Sequence, residues 1–181
     1  MNEIMLDIET LGANNNTVIL SISAVKFNLS TGEIGDKFEM GLNILQQLFQ
    51  KRDIENETIE WWSKQTDEAK KRITDLKQFN VYEVLTKFNI FAFKNVTHVK
   101  EIKIWGNGCT FDNIILESLY KSFSLDYPFP YWGNRDVRTL VDIADLDLKE
   151  FKFKGVKHNG LDDCLHQINY CHAAYKKLHK G

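Results

Sequence analysis

Proline is scarce in this chain, with 2 among 181 residues, alongside 10 glycines and 3 cysteines. No Pro/Gly/Ser-rich linker, low-complexity stretch or internal repeat is visible, which excludes a collagen-like or disordered chain. Three cysteines are too few for a disulfide scaffold. Cys164 and Cys171 lie seven apart in what reads as one helix, about 10 Å along its axis, too far for a bridge. Cys109 stands alone, and no C-x-x-C pair suggests zinc. All three read as reduced thiols. No apolar run approaches the roughly 18–20 residues of a membrane span. The opening Met1-Asn2-Glu3-Ile4 lacks the basic and apolar regions of a signal peptide. A cytoplasmic protein without a membrane partner is expected. A strong charge of one sign is also missing, since 23 Lys and Arg face 25 Asp and Glu, a net −2. That is not the profile of a protein held to nucleic acid by charge alone, although a cluster of metal-binding acids would hide local basicity. What remains is 43% hydrophobic and 27% charged residues, which predicts a single globular domain over residues 1–181.

Strand signals come first. Ile4, Leu6 and Ile8 alternate with Met5, Asp7 and Glu9. Val18 to Phe27 reads as a second strand, and Phe38, Met40 and Leu42 alternate in a third. Turn residues in Asn28-Leu29-Ser30-Thr31-Gly32 predict a hairpin between them. Helix signals follow. Asn56 is placed to cap Glu57–Lys64, and Thr66 to cap a helix that starts with Asp67 and Glu68. Val81–Phe93 has apolar residues at helical spacing. Ile102–Trp105 predicts a short strand ending in Gly106-Asn107-Gly108, before a helix over Phe111–Tyr120. Val137–Leu140 reads as a strand or a helix start, and Leu161–Leu178 as the last helix. Strands first, then alternation of strand and helix, predict an α/β architecture with a mixed sheet covered by helices. Sites in such folds lie at the carboxyl ends of parallel strands, and Glu9 and Trp105 both end predicted strands.

Asp7 and Glu9 stand at i and i+2 of a strand and so share one face, opposite Ile4, Leu6 and Ile8. Two acids on a largely apolar strand are expensive unless something neutralises them. Hard divalent cations such as Mg²⁺ or Mn²⁺ suit carboxylate oxygens. An edge strand with its polar face in water is the alternative. Asp112 opens a helix, where an acid also serves the helix dipole. His158 and Asp163 straddle the start of the last helix.

Asp7-x-Glu9, Phe111-Asp112 and His158-Asn159-Gly160-Leu161-Asp162-Asp163 occur in that order, on strand, helix start and helix start. The set, with its His-x4-Asp spacing, resembles the three motifs of the DEDDh branch of the DnaQ-like 3′–5′ exonuclease superfamily. The segments Ile4–Gly12, Thr58-Ile59-Glu60-Trp61-Trp62, Trp105–Gly108 and Arg135-Asp136-Val137-Arg138-Thr139 are similar to its phage DexA and mycobacterial-type exoribonuclease subgroup. The resemblance runs from about residue 3 to 175. It implies a ribonuclease H-like fold with a five-stranded mixed sheet flanked by helices. It implies metal-dependent hydrolysis of single-stranded DNA or RNA from a free 3′-OH to 5′-mononucleotides, with two ions of Mg²⁺ or Mn²⁺.

Under that resemblance the four metal-binding acids fall on Asp7, Glu9, Asp112 and Asp163, and the general base on His158. Asp7 would bridge, Glu9 and Asp163 would complete the metal that holds the attacking water, and Asp112 would hold the second. The chemistry fits those types: two metals supply a nucleophile, neutralise charge and stabilise the leaving oxygen. A histidine with an ordinary pKa near 6.5 can take a proton near neutrality. Gly160 would let the motif loop move, or is a turn glycine.

For the substrate, Thr10 and Leu11 are expected at the terminal nucleotide, with Leu11 wedged against the last base or packed in the core. Trp61 and Trp62 point about 100° apart, so one anchors the core and the other can stack a base. We place Trp62 with Asn107 and Arg138 as substrate-binding candidates. Trp132 is a further stacking candidate. Arg135, Arg138 and Lys149, Lys152, Lys154 and Lys157 are candidates for phosphate contact. Similar enzymes often form homodimers, so a homodimer is one option, and the sequence leaves the oligomeric state open. Two other classes compete. A non-catalytic nucleic-acid-binding module on the same fold would not need all five catalytic positions. A Rossmann-type nucleotide binder would need a G-x-G-x-x-G, which is missing.

Overall fold

The computed structural model describes residues 1–179. Strand β1 (Glu3–Thr10) runs antiparallel to β2 (Ile19–Phe27), which pairs antiparallel with β3 (Ile34–Leu42). Helices α1 (Ile44–Phe49), α2 (Asn56–Ser63) and α3 (Asp67–Asp75) follow, then the two-residue strand β4 (Gln78–Phe79) and α4 (Val81–Phe93). Next come β5 (Lys103–Gly106), α5 (Asp112–Ser122), β6 (Asn134–Asp136), α6 (Val137–Ile143) and α7 (Gly160–Leu178). The sheet order is β4-β3-β2-β1-β5-β6, with β4, β5 and β6 joined in parallel to their neighbours. The sheet has six strands where five were expected. The addition is β4, whose two residues pair with Gly41 and Leu42 at the end of β3.

The alternation in β1 sorts its residues onto two faces. Ile4, Leu6 and Ile8 meet Val84, Leu85, Phe88, Leu116 and Leu119 in the larger core beneath α4 and α5. Met5, on the face of the two acids, joins Val25, Phe27, Trp105, Cys164, Ile168 and Cys171 beneath α6 and α7. Both faces of β1 are therefore closed by helices, and β1 lies inside the sheet between β2 and β5. The alternative of an edge strand in water is ruled out. At about 25 cal/mol per Å², side chains such as Leu6 and Phe88, which are fully buried, each contribute about 2–3 kcal/mol.

Several local expectations shift. The cap of α2 is Glu55, not Asn56, and makes no capping bond. Its carboxylate instead accepts from the Ala13 N–H at 2.7 Å and from the Asn14 amide at 2.6 Å. Thr66 caps α3 as expected, accepting from the Ala69 N–H. The ambiguous stretch at Val137 is helix, because Asp136 ends β6 and caps α6 through the Thr139 N–H at 2.8 Å. In the 28–32 turn, Gly32 adopts φ +75°, and the Asn28 side chain accepts from the Ser30 and Thr31 amides. Among the described residues no helix is long and apolar enough to cross a membrane.

Candidate active site

The carboxyl ends of β1 and β5 and the amino ends of α5 and α7 meet at an open cleft of about 610 Å³. Asp7 and Glu9 enter from β1, Asp112 from the first turn of α5, and Asp163 from the first turn of α7. One ring nitrogen of His158 and one carboxylate oxygen each from Glu9 and Asp163 lie within 4.8 Å of one another. Asp112 is tied to β1, since its Oδ1 accepts from the Ile8 N–H at 3.2 Å. The end of β5 packs tightly on it: a Cβ on Gly106 would stand 3.1 Å from Asp112 Oδ2.

Gly160, the first residue of α7, is buried against Ser23 of β2 and Asp7. A Cβ there would clash with Ser23 Oγ and lie 2.6 Å from Ser23 Cβ and 3.2 Å from Asp7 Oδ2. The glycine is thus a close-approach residue that lets Asp163 come down onto β1. This replaces the expectation of a loop hinge.

The electrostatics are those of crowded acids. Burial, reinforced by the charges of Glu9, Asp112 and Asp163, holds the Asp7 carboxyl well above its ordinary range. Burial and then Asp163 and Asp112 do the same to Glu9. Burial pushes Asp112 up to about 7, against the hydrogen bonds from backbone amides that favour its charge. Asp163 rises to about 6, again chiefly by burial. Among the described residues none of the four forms an ion pair with a lysine or arginine. Burial and the neighbouring Lys157 lower His158 below its ordinary value.

Thr10, Trp62, Asn107 and Arg138 also line the cleft. Leu11 does not; it opens into an adjoining apolar cleft with Leu20, Ile44 and Ile59. Trp62 is 9% exposed and donates its indole N–H to the Thr10 carbonyl at 2.9 Å, so it is the anchor of the pair. Trp61 carries the exposed ring, and the role of stacking candidate moves to it. Trp132 lies at the amino end of β6, away from the cleft, donating to the Lys100 carbonyl. Arg135 spends its guanidinium on the carbonyls of Trp132 and Asn134. Lys149, Lys152, Lys154 and Lys157 are exposed and lie outside the cleft lining.

Gln167 went unread in the sequence. It is 4% exposed, lines the cleft, and its Nε2 donates to Asp7 Oδ1 at 3.1 Å. Its position four residues after Asp163 puts it on the same helical face, which was the available signal.

A mixed sheet brings together acids from the first strand and from two helix starts, with a histidine ahead of the last, as the resemblance to DEDDh 3′–5′ exonucleases led us to expect. The chain is also similar to known nucleases. The chain is 24% identical over 202 residues to an exodeoxyribonuclease of Enterobacteria phage T4, covering 93% of this chain and 86% of that one. It superposes on the nuclease domain of 3′hExo, a DEDDh family member bound to rAMP, with a TM-score of 0.63 and 15% identity over 96% of this chain and 91% of that one. It superposes on E. coli Exonuclease I in complex with a dA16 oligonucleotide with a TM-score of 0.62 and 14% identity. That match takes in 92% of this chain but only 39% of the longer exonuclease. The profile of the 3′-5′ exoribonuclease Rv2179c-like domain matches residues 2–175, and the chain belongs to that family.

Proposed function

We propose that this exonuclease hydrolyses single-stranded DNA or RNA from a free 3′-OH, one 5′-mononucleotide at a time, with two Mg²⁺ or Mn²⁺ ions. The observation that carries this is the meeting of Asp7, Glu9, Asp112 and Asp163 with His158 in one cleft. The donor set fits such ions. Four largely buried carboxylates, none in an ion pair among the described residues, repel one another, and all-oxygen donors suit hard cations. Asp7, Glu9, Asp112 and Asp163 would hold the metals, with Gln167 orienting Asp7 as the residues around a ligand do. Bound divalent ions supply charge neutralisation, a more acidic water and a stabilised leaving oxygen.

The chain's own part follows. His158 takes the proton of the attacking water at its ring nitrogen, and its lowered pKa leaves it free to do so near neutrality. The water oxygen joins phosphorus, the bond to the 3′-oxygen breaks, and that oxygen takes up a proton. Arg138, at the cleft and beside the Asn107-Gly108 turn, brings positive charge to the phosphate. Thr10 and Asn107 line the place of the terminal nucleotide.

The test is digestion of matched 5′-labelled DNA and RNA oligonucleotides, single- and double-stranded, with Mg²⁺, Mn²⁺ or EDTA. A ladder shortening from the 3′ end, abolished by EDTA and by a 3′-phosphate, is expected. The ratio of DNA to RNA rates sets the sugar preference. Metal-independent binding without release of mononucleotides would favour the non-catalytic module instead.

A further inference from the structure

His158 is held in an unusual way. Its backbone sits at φ +64°, a region side chains rarely adopt. The ring nitrogens of His172 and His179 make hydrogen bonds to carbonyls, while among the described residues neither nitrogen of His158 has a partner. Its imidazole instead meets Trp61 edge to face, with centroids 4.9 Å apart and planes at 82°. Trp62 stands 6.1 Å away at 75°, and the two indoles meet each other at 5.1 Å and 79°. Three near-perpendicular rings form one cluster. Trp62 fastens it to the sheet through its N–H to the Thr10 carbonyl, the residue after Glu9.

We propose that Trp61 is a positioning residue for His158, fixing the imidazole over the acids through ring-edge contact in place of a hydrogen bond. The inference rests on His158 acting as the base in the reading above. Helix α2 then links the two halves of the site. The strand that carries Asp7 and Glu9 also sets, through Thr10, Trp62 and Trp61, where the imidazole stands. Edge-to-face contact orients a ring without occupying its nitrogens. That leaves both free for a proton transfer, and it restricts a side chain whose backbone is strained and whose preceding loop is exposed. Trp61 is itself 42% exposed, so its removal takes little from the core.

The test is kcat and KM for wild type, Trp61→Ala, Trp61→Leu, Trp61→Phe, His158→Ala and the double variant Trp61→Ala/His158→Ala. Each is assayed on an oligonucleotide with an ordinary and with an abasic 3′-terminal residue. Trp61→Ala and Trp61→Leu should lower kcat by roughly 10- to 10²-fold with KM little changed, as small misplacements of a catalytic group do. Trp61→Phe should recover most of the rate. The loss should be the same at the abasic end, and the double variant should be no slower than His158→Ala. In the metal-free protein, the His158 C2 proton should lose its ring-current shift in Trp61→Ala and Trp61→Leu. A raised KM with kcat intact, or a loss that vanishes at the abasic end, would show that Trp61 stacks a base. An additive double variant, or an unmoved His158 resonance, also overturns the inference. Full activity in His158→Ala would instead overturn the assignment of the base, whatever Trp61 does.

Discussion

Replacing Asp112 with asparagine should stabilise the metal-free protein while destroying its activity. The carboxyl is 5% exposed, and burial lifts its pKa from 3.8 to about 7. The native state thus binds a proton more tightly than the unfolded chain. With a raised native pKa, stability falls as pH rises from about 4 to about 7, and the loss is complete above that. A shift of this size corresponds to about 4 kcal/mol. Asparagine keeps an oxygen for the Ile8 N–H but adds an amide that needs an acceptor, costing about 1–2 kcal/mol. The net gain at pH 8 in EDTA is about 2–3 kcal/mol, which raises Tm by about 4–12 °C for a chain of this size. At pH 4 the aspartate is protonated too, so the gain should vanish and the variant should melt below wild type by the amide's cost of about 1–2 kcal/mol. Metal narrows the gap: at a hundredfold excess over its Kd it adds about 2.7 kcal/mol to the wild type, and less to the variant. Thermal melts at pH 4 and pH 8, in EDTA and in Mn²⁺, measure all four corners. A variant that melts at or below wild type at pH 8 in EDTA would refute a charge whose burial outweighs its hydrogen bonds at this position.

His158→Ala should lower kcat by roughly 10²- to 10⁴-fold and leave the metal-induced rise in Tm intact. In the wild type the acid limb of kcat should fall below the ordinary histidine value, since burial and Lys157 both disfavour the imidazolium; a limb above it would mean another group is titrating. Gly160→Ala forces a methyl against Ser23 and Asp7. It should cost about 1–3 kcal/mol in urea unfolding and weaken metal binding by calorimetry; a silent variant would mean α7 shifts freely. Arg52 is 2% exposed, and its guanidinium donates to the Thr17 carbonyl and to the Ser118 and Ser122 hydroxyls. Arg52→Met strands those acceptors and should cost about 2–4 kcal/mol, with kcat unchanged; a loss below 1 kcal/mol would show that water replaces them.

Elements with strong periodicity were legible from residues alone. The sides of β1, the span Val81–Phe93 and nearly all of α7 needed only alternation or helical spacing. Elements built by polar side chains were not. Helix α1 is six residues long and is pinned by Gln47, whose buried amide accepts from the Ile19 N–H and donates to its carbonyl. That polar residue in the core reads as loop in any hydrophobic pattern. The cap of α2 was misplaced because the Glu55 carboxylate serves the Ala13 loop. In the cleft, motif order picked out the acids and His158 because chemistry restricts residue type there. The choice between Trp61 and Trp62 was illegible, because adjacent helical positions differ only in which one the tertiary packing selects.

Gly160 also bears on how the site comes into being. The cleft is closed by residues from near both ends of the chain, Asp7 on β1 and His158 and Asp163 at α7, so its last contacts are among those with the greatest loop-closure entropy. During synthesis the strand with Asp7 and Glu9 emerges before Asp112, but His158 and Asp163, the proposed base and fourth acid, reach the cleft only when α7 can seat its glycine on Ser23. On the proposed assignment, hydrolytic competence is an all-or-none property of the finished fold, and a partly made or partly unravelled chain would hold acids without a site.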